Sequence, residues 1–129
     1  MKLDTLVIVA HPDDAELSCA GTIISQTRQG KKVGIADLTR GELGTRGTPE
    51  IRLQEAEDAA EIMGLAVRIN LGMEDAFFVN DKAHQLKVME VIRKYRPEIV
   101  ITNAVAERRP DDGKVADLEK ASAFMYGLI

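Results

Sequence analysis

Four short apolar runs, each followed by a longer stretch with helical spacing, organise the chain. Residues 6–10 form a continuous and largely β-branched run, which is typical of a strand buried on both faces of a parallel sheet. Similar runs recur at residues 33–38, 67–71 and 98–102. Because β and α units of this length alternate, the pattern predicts a Rossmann-like, doubly wound α/β sandwich with a mainly parallel sheet.

The stretches between the runs predict four helices. The first covers residues 14–29 and ends at Gly30, with Cys19 as a core thiol on a buried face that includes Leu17. The second starts after the cap Thr48, and Leu53 belongs to its apolar face. The third is an amphipathic helix that includes Leu86. A fourth is expected from residue 114 onward, after a polar loop over residues 103–113.

The order of the strands places two polar loops opposite each other. Right-handed crossovers through the first three strands, followed by a return to the other side, give the order 3-2-1-4. Ligands bind such sheets where the strand order reverses, which here lies between strands one and four. The loops at residues 11–14 and 107–112 leave those two strands, so we expect them to face each other.

Composition and charge limit the classes of molecule that the chain is expected to bind. The net charge is -4 and no block of Lys and Arg is present, which argues against nucleic acid or a membrane surface and favours a small molecule. With one cysteine, no intrachain disulfide can form. The N-terminus lacks the pattern of a signal peptide, so the sequence predicts a cytoplasmic location.

The first polar loop offers metal-ligating residue types. His11 and Asp14 stand three residues apart across a strand-to-helix turn, so that an imidazole nitrogen and a carboxylate oxygen can converge on one Zn²⁺ ion. Asp13 could then serve as the base that takes a proton from water. The competing interpretation is structural: an aspartate caps the helix and His11 is a polar strand end.

Two longer motifs carry a resemblance to a known family. Residues 11–16 (HPDDAE), together with residues 38–42 (LTRGE) and 44–52 (GTRGTPEIR), resemble the PIG-L/LmbE-like deacetylases. The chain is most similar to the branch that deacetylates N-acetylglucosaminyl-malate in bacillithiol biosynthesis. This resemblance implies a hydrolase with one zinc ion, held by His11 and Asp14. It also implies that Asp13 activates water and that Arg52 contacts an N-acetylglucosamine conjugate.

The third motif departs from the family pattern. Members usually carry His-Pro-Asp-His after the fourth strand, whereas this chain has Arg109, Pro110, Asp111 and Asp112. The resemblance then assigns Asp112 as the third metal ligand and Arg109 as the residue that stabilises the oxyanion. A second carboxylate ligand weakens the Lewis acidity of zinc. The alternative to an active deacetylase is therefore a catalytically silent relative that binds metal or sugar.

Other features leave alternatives open. Glu42 and Asp111 are either partners of His11 or ordinary loop acids, while residues 73–78 are expected to supply a core lid through Met73, Phe77 and Phe78. We interpret residues 1–129 as a single domain that lacks the C-terminal part of the family, whose members are roughly twice as long. An uncovered sheet edge and an apolar chain end favour a homo-oligomer.

Overall fold

The computed structural model describes residues 1–104 and 110–125. Its four strands form one parallel sheet in the order β3-β2-β1-β4, which confirms the predicted fold class and strand order. The strands are β1 (Thr5–Val9), β2 (Val33–Thr39), β3 (Val67–Met73) and β4 (Ile99–Thr102). Strand β1 lies in the interior of the sheet, so its carboxyl end is surrounded by the loops of its neighbours.

The core has two parts, one on each face of the sheet. Successive side chains of a strand point to opposite faces, so Leu6 and Ile8 of β1 pack on one side while Val7 and Val9 pack on the other. Helices α3 (Lys82–Tyr95) and α4 (Pro110–Met125) cover the first face, and α1 (Asp14–Arg28) and α2 (Pro49–Met63) cover the second. The result is the expected three-layer sandwich.

Local signals set the ends of α2 as the sequence predicts. The Thr48 hydroxyl accepts a hydrogen bond from the backbone N–H of Ile51 at 3.1 Å, and Pro49 occupies the first helical position. At the other end, Gly64 adopts φ +72°, a left-handed conformation that costs glycine little. These two ends place the start of α2 beside the Gly-rich loop that follows β2.

Three expectations about burial were wrong. The kink at Cys19, where φ is -142°, interrupts the helical face of α1, so Leu17 is 83% exposed and Cys19 only half-buried. Leu53 and Leu86 are exposed at the rims of their helices. Of the predicted lid, Met73 and Phe78 are buried but Phe77 is exposed, because the turn after β3 directs it outward.

The last helix starts earlier than predicted. Helix α4 begins at Pro110, so Asp111 and Asp112 lie in its first turn and not in a loop. A proline at the first position followed by acids is favourable at a helix N-terminus, and this outweighs the helix-breaking tendency of Gly113. Both carboxylates therefore project from a fixed helical turn toward the end of β1.

Among the described residues, no helix has the length and apolar character needed to cross a membrane.

Candidate metal centre

His11 lies at the centre of a cluster of four buried aspartates. His11 lies two residues after the end of β1, and it is 8% exposed. Asp14, Asp75, Asp111 and Asp112 surround it, each with an exposed fraction of 3–6%. We call these five residues the histidine–carboxylate cluster. Four buried carboxylates around one imidazole form an environment that favours a bound cation.

The two ring nitrogens of His11 face different carboxylates. Nε2 lies 2.9 Å from Asp75 Oδ1 and 2.9 Å from Asp111 Oδ2. On the other side, Asp14 Oδ2 lies 3.5 Å from Nδ1. Two sets of potential ligand atoms result, one from His11, Asp14 and Asp112 and one from His11, Asp75 and Asp111; within each set all atoms lie within 4.8 Å of one another.

The first of these sets contains the three predicted metal ligands. The turn after β1 is held by a hydrogen bond from the His11 backbone N–H to Asp14 Oδ2 at 3.0 Å. Asn103, after β4, accepts a hydrogen bond at 3.2 Å from the backbone N–H of Ala10, which ties the two strand ends together. Helix α4 then brings Asp112 to the same place. The structure therefore brings His11, Asp14 and Asp112 together.

The atoms that surround Nδ1 of His11 are suitable ligands for zinc. The Nδ1 atom of His11 is buried and makes no well-formed hydrogen bond with the described residues, and its neighbour Asp14 Oδ2 lies at 3.5 Å. An imidazole nitrogen with carboxylate oxygens beside it is a donor set that Zn²⁺ takes readily. Both the position of Nδ1 and the chemistry of its neighbours are thus compatible with a zinc ligand.

The cluster changes the protonation of its members. Burial lowers the pKa of His11, but the hydrogen bonds and charges of Asp14 and Asp75 outweigh this effect and raise its pKa to about 9. For Asp75, burial raises the pKa, and the Leu43 backbone N–H and His11 together bring it below its ordinary value. A cation that binds Nδ1 therefore competes with a proton for the ring.

Asp13 lies outside the cluster and contacts Arg52. Its Oδ2 atom is 3.6 Å from Nη2 of Arg52, and its side chain is 49% exposed. The same guanidinium donates hydrogen bonds to the Gly41 carbonyl at 2.9 Å and to the Pro12 carbonyl at 3.1 Å. Arg52 thus fastens the His-Pro-Asp-Asp turn to the Gly-rich loop, a role that the sequence did not reveal.

Two cavities flank the cluster. One of about 360 Å³ is lined by His11, Asp75, Asp111, Arg52 and parts of the Gly-rich loop. A second, of about 680 Å³, lies on the opposite side and is lined by residues that include Asp14 and Asp112. Asp13 and Arg52 line a neighbouring cavity of about 330 Å³ that shares Gly44 with the first. Arg52 also lines both of these cavities, so it is shared by the space beside His11 and the space beside Asp13.

Two further residues, Arg109 and Glu42, were singled out in the sequence for this site. Arg109 lies outside the described residues. Glu42 is not in contact with His11 but accepts a hydrogen bond from the Asp75 backbone N–H at 2.8 Å, so it acts on the cluster indirectly. Asp75 was missed by the sequence reasoning, although it lies two residues after the end of β3 and polar residues after parallel strands meet at the same edge of the sheet.

The sequence reasoning also missed a buried ion network beside the cluster. Arg68 of β3 donates to both carboxylate oxygens of Asp37 at 2.8 and 3.1 Å and to both oxygens of Glu16 at 3.0 and 3.1 Å. The side chains of Arg68 and Asp37 are 7% and 3% exposed. Charged residues inside otherwise apolar strands were the available signal. The network links β2 and β3 to α1 through Glu16, which lies two residues after Asp14.

Comparison with known proteins identifies the family. The PIG-L family model, described as GlcNAc-PI de-N-acetylase, matches residues 6–118. The chain belongs to the PIG-L family. This assignment agrees with the motifs at residues 11–16 and 38–52 and with the position of His11 at the carboxyl end of β1.

Relatives of this PIG-L chain include deacetylases of sugar conjugates. It is 34% identical over 119 residues to a probable N-acetyl-alpha-D-glucosaminyl L-malate deacetylase 2 of Bacillus cereus, covering 79% of this chain and 52% of the relative. It is 34% identical over 103 residues to a diacetylchitobiose deacetylase of Thermococcus kodakarensis, covering 74% of this chain and 39% of the relative.

A solved structure shares the fold closely. The conserved protein TT1542 from Thermus thermophilus superposes with a TM-score of 0.91 at 41% identity, covering 95% of this chain and 56% of that protein. This PIG-L chain therefore spans about half the length of the relatives it matches.

Proposed function

We propose that this chain carries the metal centre of a zinc-dependent N-deacetylase acting on a small molecule that contains N-acetylglucosamine. The observation that supports this most is the convergence of His11, Asp14 and Asp112, whose potential ligand atoms lie within 4.8 Å of one another. The deacetylase names of the relatives support the reaction type. Zinc, the reaction and the roles of individual residues are all part of the proposal.

The proposed zinc ligands are His11, Asp14 and Asp112. A catalytic zinc keeps an open position besides its three protein ligands. When bound, zinc supplies a Lewis acid that polarises a carbonyl and lowers the pKa of water. Two carboxylates and one neutral imidazole neutralise the ionic charge of Zn²⁺, which leaves a weaker Lewis acid than a site with one carboxylate. We therefore expect slow turnover.

Asp13 is the proposed general base. It directly precedes the ligand Asp14 at the start of α1, and its side chain is 49% exposed although its Oδ1 atom is buried. A carboxylate in its ionised form can accept a proton from water, and the Arg52 guanidinium lies 3.6 Å from Asp13 Oδ2.

Substrate contacts are proposed for two arginines. Arg52 lines the cavity beside His11 and can meet a polar or anionic group of the substrate from there. Arg109 is proposed to stabilise the oxyanion that forms as the amide carbonyl is attacked. Because its proton is held too tightly near neutral pH, Arg109 would act only as a cation and not as an acid.

The proposed substrate class follows the relatives. The Bacillus cereus relative is named for a malate conjugate and the Thermococcus kodakarensis relative for a chitobiose derivative. We propose N-acetylglucosaminyl-malate, and hence a place in bacillithiol biosynthesis, as the first substrate to test. A cytoplasmic location and a homo-oligomeric state stay predictions.

Acetate release tests this proposal directly. Protein loaded with zinc should release acetate from N-acetylglucosaminyl-malate, and should lose this activity after chelation and recover it when zinc is returned. Diacetylchitobiose, offered in parallel, tests the substrate class. Asp112 stands where the family usually has a histidine, and this replacement favours one alternative function, that of a catalytically silent relative that binds metal or sugar. Stable zinc binding without acetate release from either substrate would support that alternative and contradict the proposed activity.

A further inference from the structure

We propose that Asp75 and Asp111 act together as positioning residues that fix the tautomer of His11 with its proton on Nε2, so that Nδ1 is presented to the metal. This inference rests on the proposed metal site and adds the residues that prepare its histidine. Asp75 lies in the turn after β3 and Asp111 in the first turn of α4.

The hydrogen-bond geometry around the imidazole ring distinguishes its two nitrogens. Nε2 has two carboxylate oxygens at 2.9 Å, from Asp75 and Asp111, and both are acceptors. Nδ1 is buried and has one carboxylate oxygen beside it, Asp14 Oδ2, at the longer distance of 3.5 Å. An ionised carboxylate only accepts hydrogen bonds, so a pair of them at Nε2 stabilises the proton on that nitrogen. The lone pair of the neutral ring then lies on Nδ1.

Backbone contacts fix Asp75 in this orientation. Its Oδ2 accepts a hydrogen bond from the Leu43 backbone N–H at 3.0 Å, which leaves Oδ1 for His11. Its own backbone N–H donates to Glu42 Oε2 at 2.8 Å. The carboxylate is thus held between the Gly-rich loop and the imidazole, with one oxygen for each.

Asp111 is fixed by a second set of contacts. Its Oδ2 accepts a hydrogen bond from the Ala76 backbone N–H at 3.2 Å, and its Oδ1 lies 3.5 Å from the Lys114 ammonium. Ala76 adopts φ +65°, an uncommon conformation for a residue with a Cβ. Lys114 in turn donates to the Ala76 carbonyl at 2.7 Å. These donors offset the repulsion between two neighbouring carboxylates.

Such partners have a known physical effect on a metal-binding histidine. A carboxylate that accepts the second ring proton fixes the ring orientation and raises the basicity of the ligating nitrogen. Loss of such a partner weakens metal affinity by about 10- to 100-fold. Asp75 and Asp111 therefore contribute to metal affinity without being metal ligands themselves.

The tautomer can be observed directly by long-range ¹H–¹⁵N NMR of zinc-loaded protein. The chain has two histidines, so a His84→Gln background leaves only the His11 signals. The proposal predicts a proton on Nε2 and metal on Nδ1. A zinc-loaded ring with its proton on Nδ1 would overturn the proposal while leaving His11 as a ligand. Absence of zinc binding in the unmodified chain would instead contradict the proposed function.

Variants measure the contribution to affinity. In chelator competition, the Asp75→Ala/Asp111→Ala double variant should bind zinc about 10- to 100-fold more weakly than the unmodified chain. Asp58→Ala/Asp117→Ala is the matched control, because it removes two exposed carboxylates away from the ring, so its zinc affinity and the Nε2–H tautomer of its His11 should be unchanged. Unchanged zinc affinity in the double variant would overturn the proposal.

Discussion

Asp13→Asn should reduce acetate release by about 10²- to 10⁴-fold, the usual contribution of a general base. The amide has the shape of the carboxylate but cannot accept the proton of water. Because Asp13 lies outside the histidine–carboxylate cluster and contacts Arg52 at 3.6 Å, the substitution should leave the zinc content unchanged. The measurement is kcat for N-acetylglucosaminyl-malate, with zinc determined on the same samples.

The matched control for this variant is Asp58→Asn. Asp58 is an exposed aspartate of α2 that accepts a hydrogen bond from Gln54 at 2.9 Å, away from the cluster. It should retain full activity. An Asp13→Asn protein that turns over within a few-fold of the unmodified rate would exclude Asp13 as the base.

Arg68→Met should lower the free energy of unfolding by about 3–5 kcal/mol, the usual cost of leaving a buried charge without its partner. Methionine fills much of the same volume but makes none of the hydrogen bonds to Asp37 and Glu16. Asp37 bears most of this cost, because its side chain is 3% exposed and burial already raises its pKa. Urea unfolding of the metal-free protein measures the loss.

Two further variants separate charge from geometry in this network. Arg68→Lys keeps the charge but not the two-pronged contact, so it should be destabilised less than Arg68→Met. The double variant Arg68→Met/Asp37→Asn removes the unpaired buried charge, so its loss should be smaller than the sum of the single losses. If Arg68→Met unfolds at the same urea concentration as the unmodified protein, the network does not stabilise the fold.

Local signals in the sequence predicted most of the fold because they act within a few residues. The run at residues 6–10 has the pattern of a buried strand, and Thr48, Pro49 and Gly64 set the ends of α2. Strand order followed from the handedness of crossovers. Helix α1 was harder, because the kink at Cys19 changes which positions face the core, and a kink leaves no mark in the spacing of apolar residues.

Only part of the histidine–carboxylate cluster could be predicted from the sequence. His11 and Asp14 share one turn, and Asp112 follows the neighbouring strand, so topology alone brings them near each other. Asp75 follows β3, which is two strands away from β1 in the sheet. Its contact with His11 depends on the path of the turn after β3 and on hydrogen bonds with Glu42 and Leu43. No short-range pattern encodes such a path.

Zinc binding by the cluster is the central claim, and metal content after dialysis against a weak chelator tests it most directly. The unmodified chain should retain near-stoichiometric zinc, whereas Asp14→Ala and Asp112→Ala should each lose it. Asp117→Ala, which removes an exposed carboxylate of α4, should behave like the unmodified chain. An unmodified chain without zinc, or an Asp112→Ala protein that keeps it as firmly, would contradict the assignment of His11, Asp14 and Asp112 as the metal ligands.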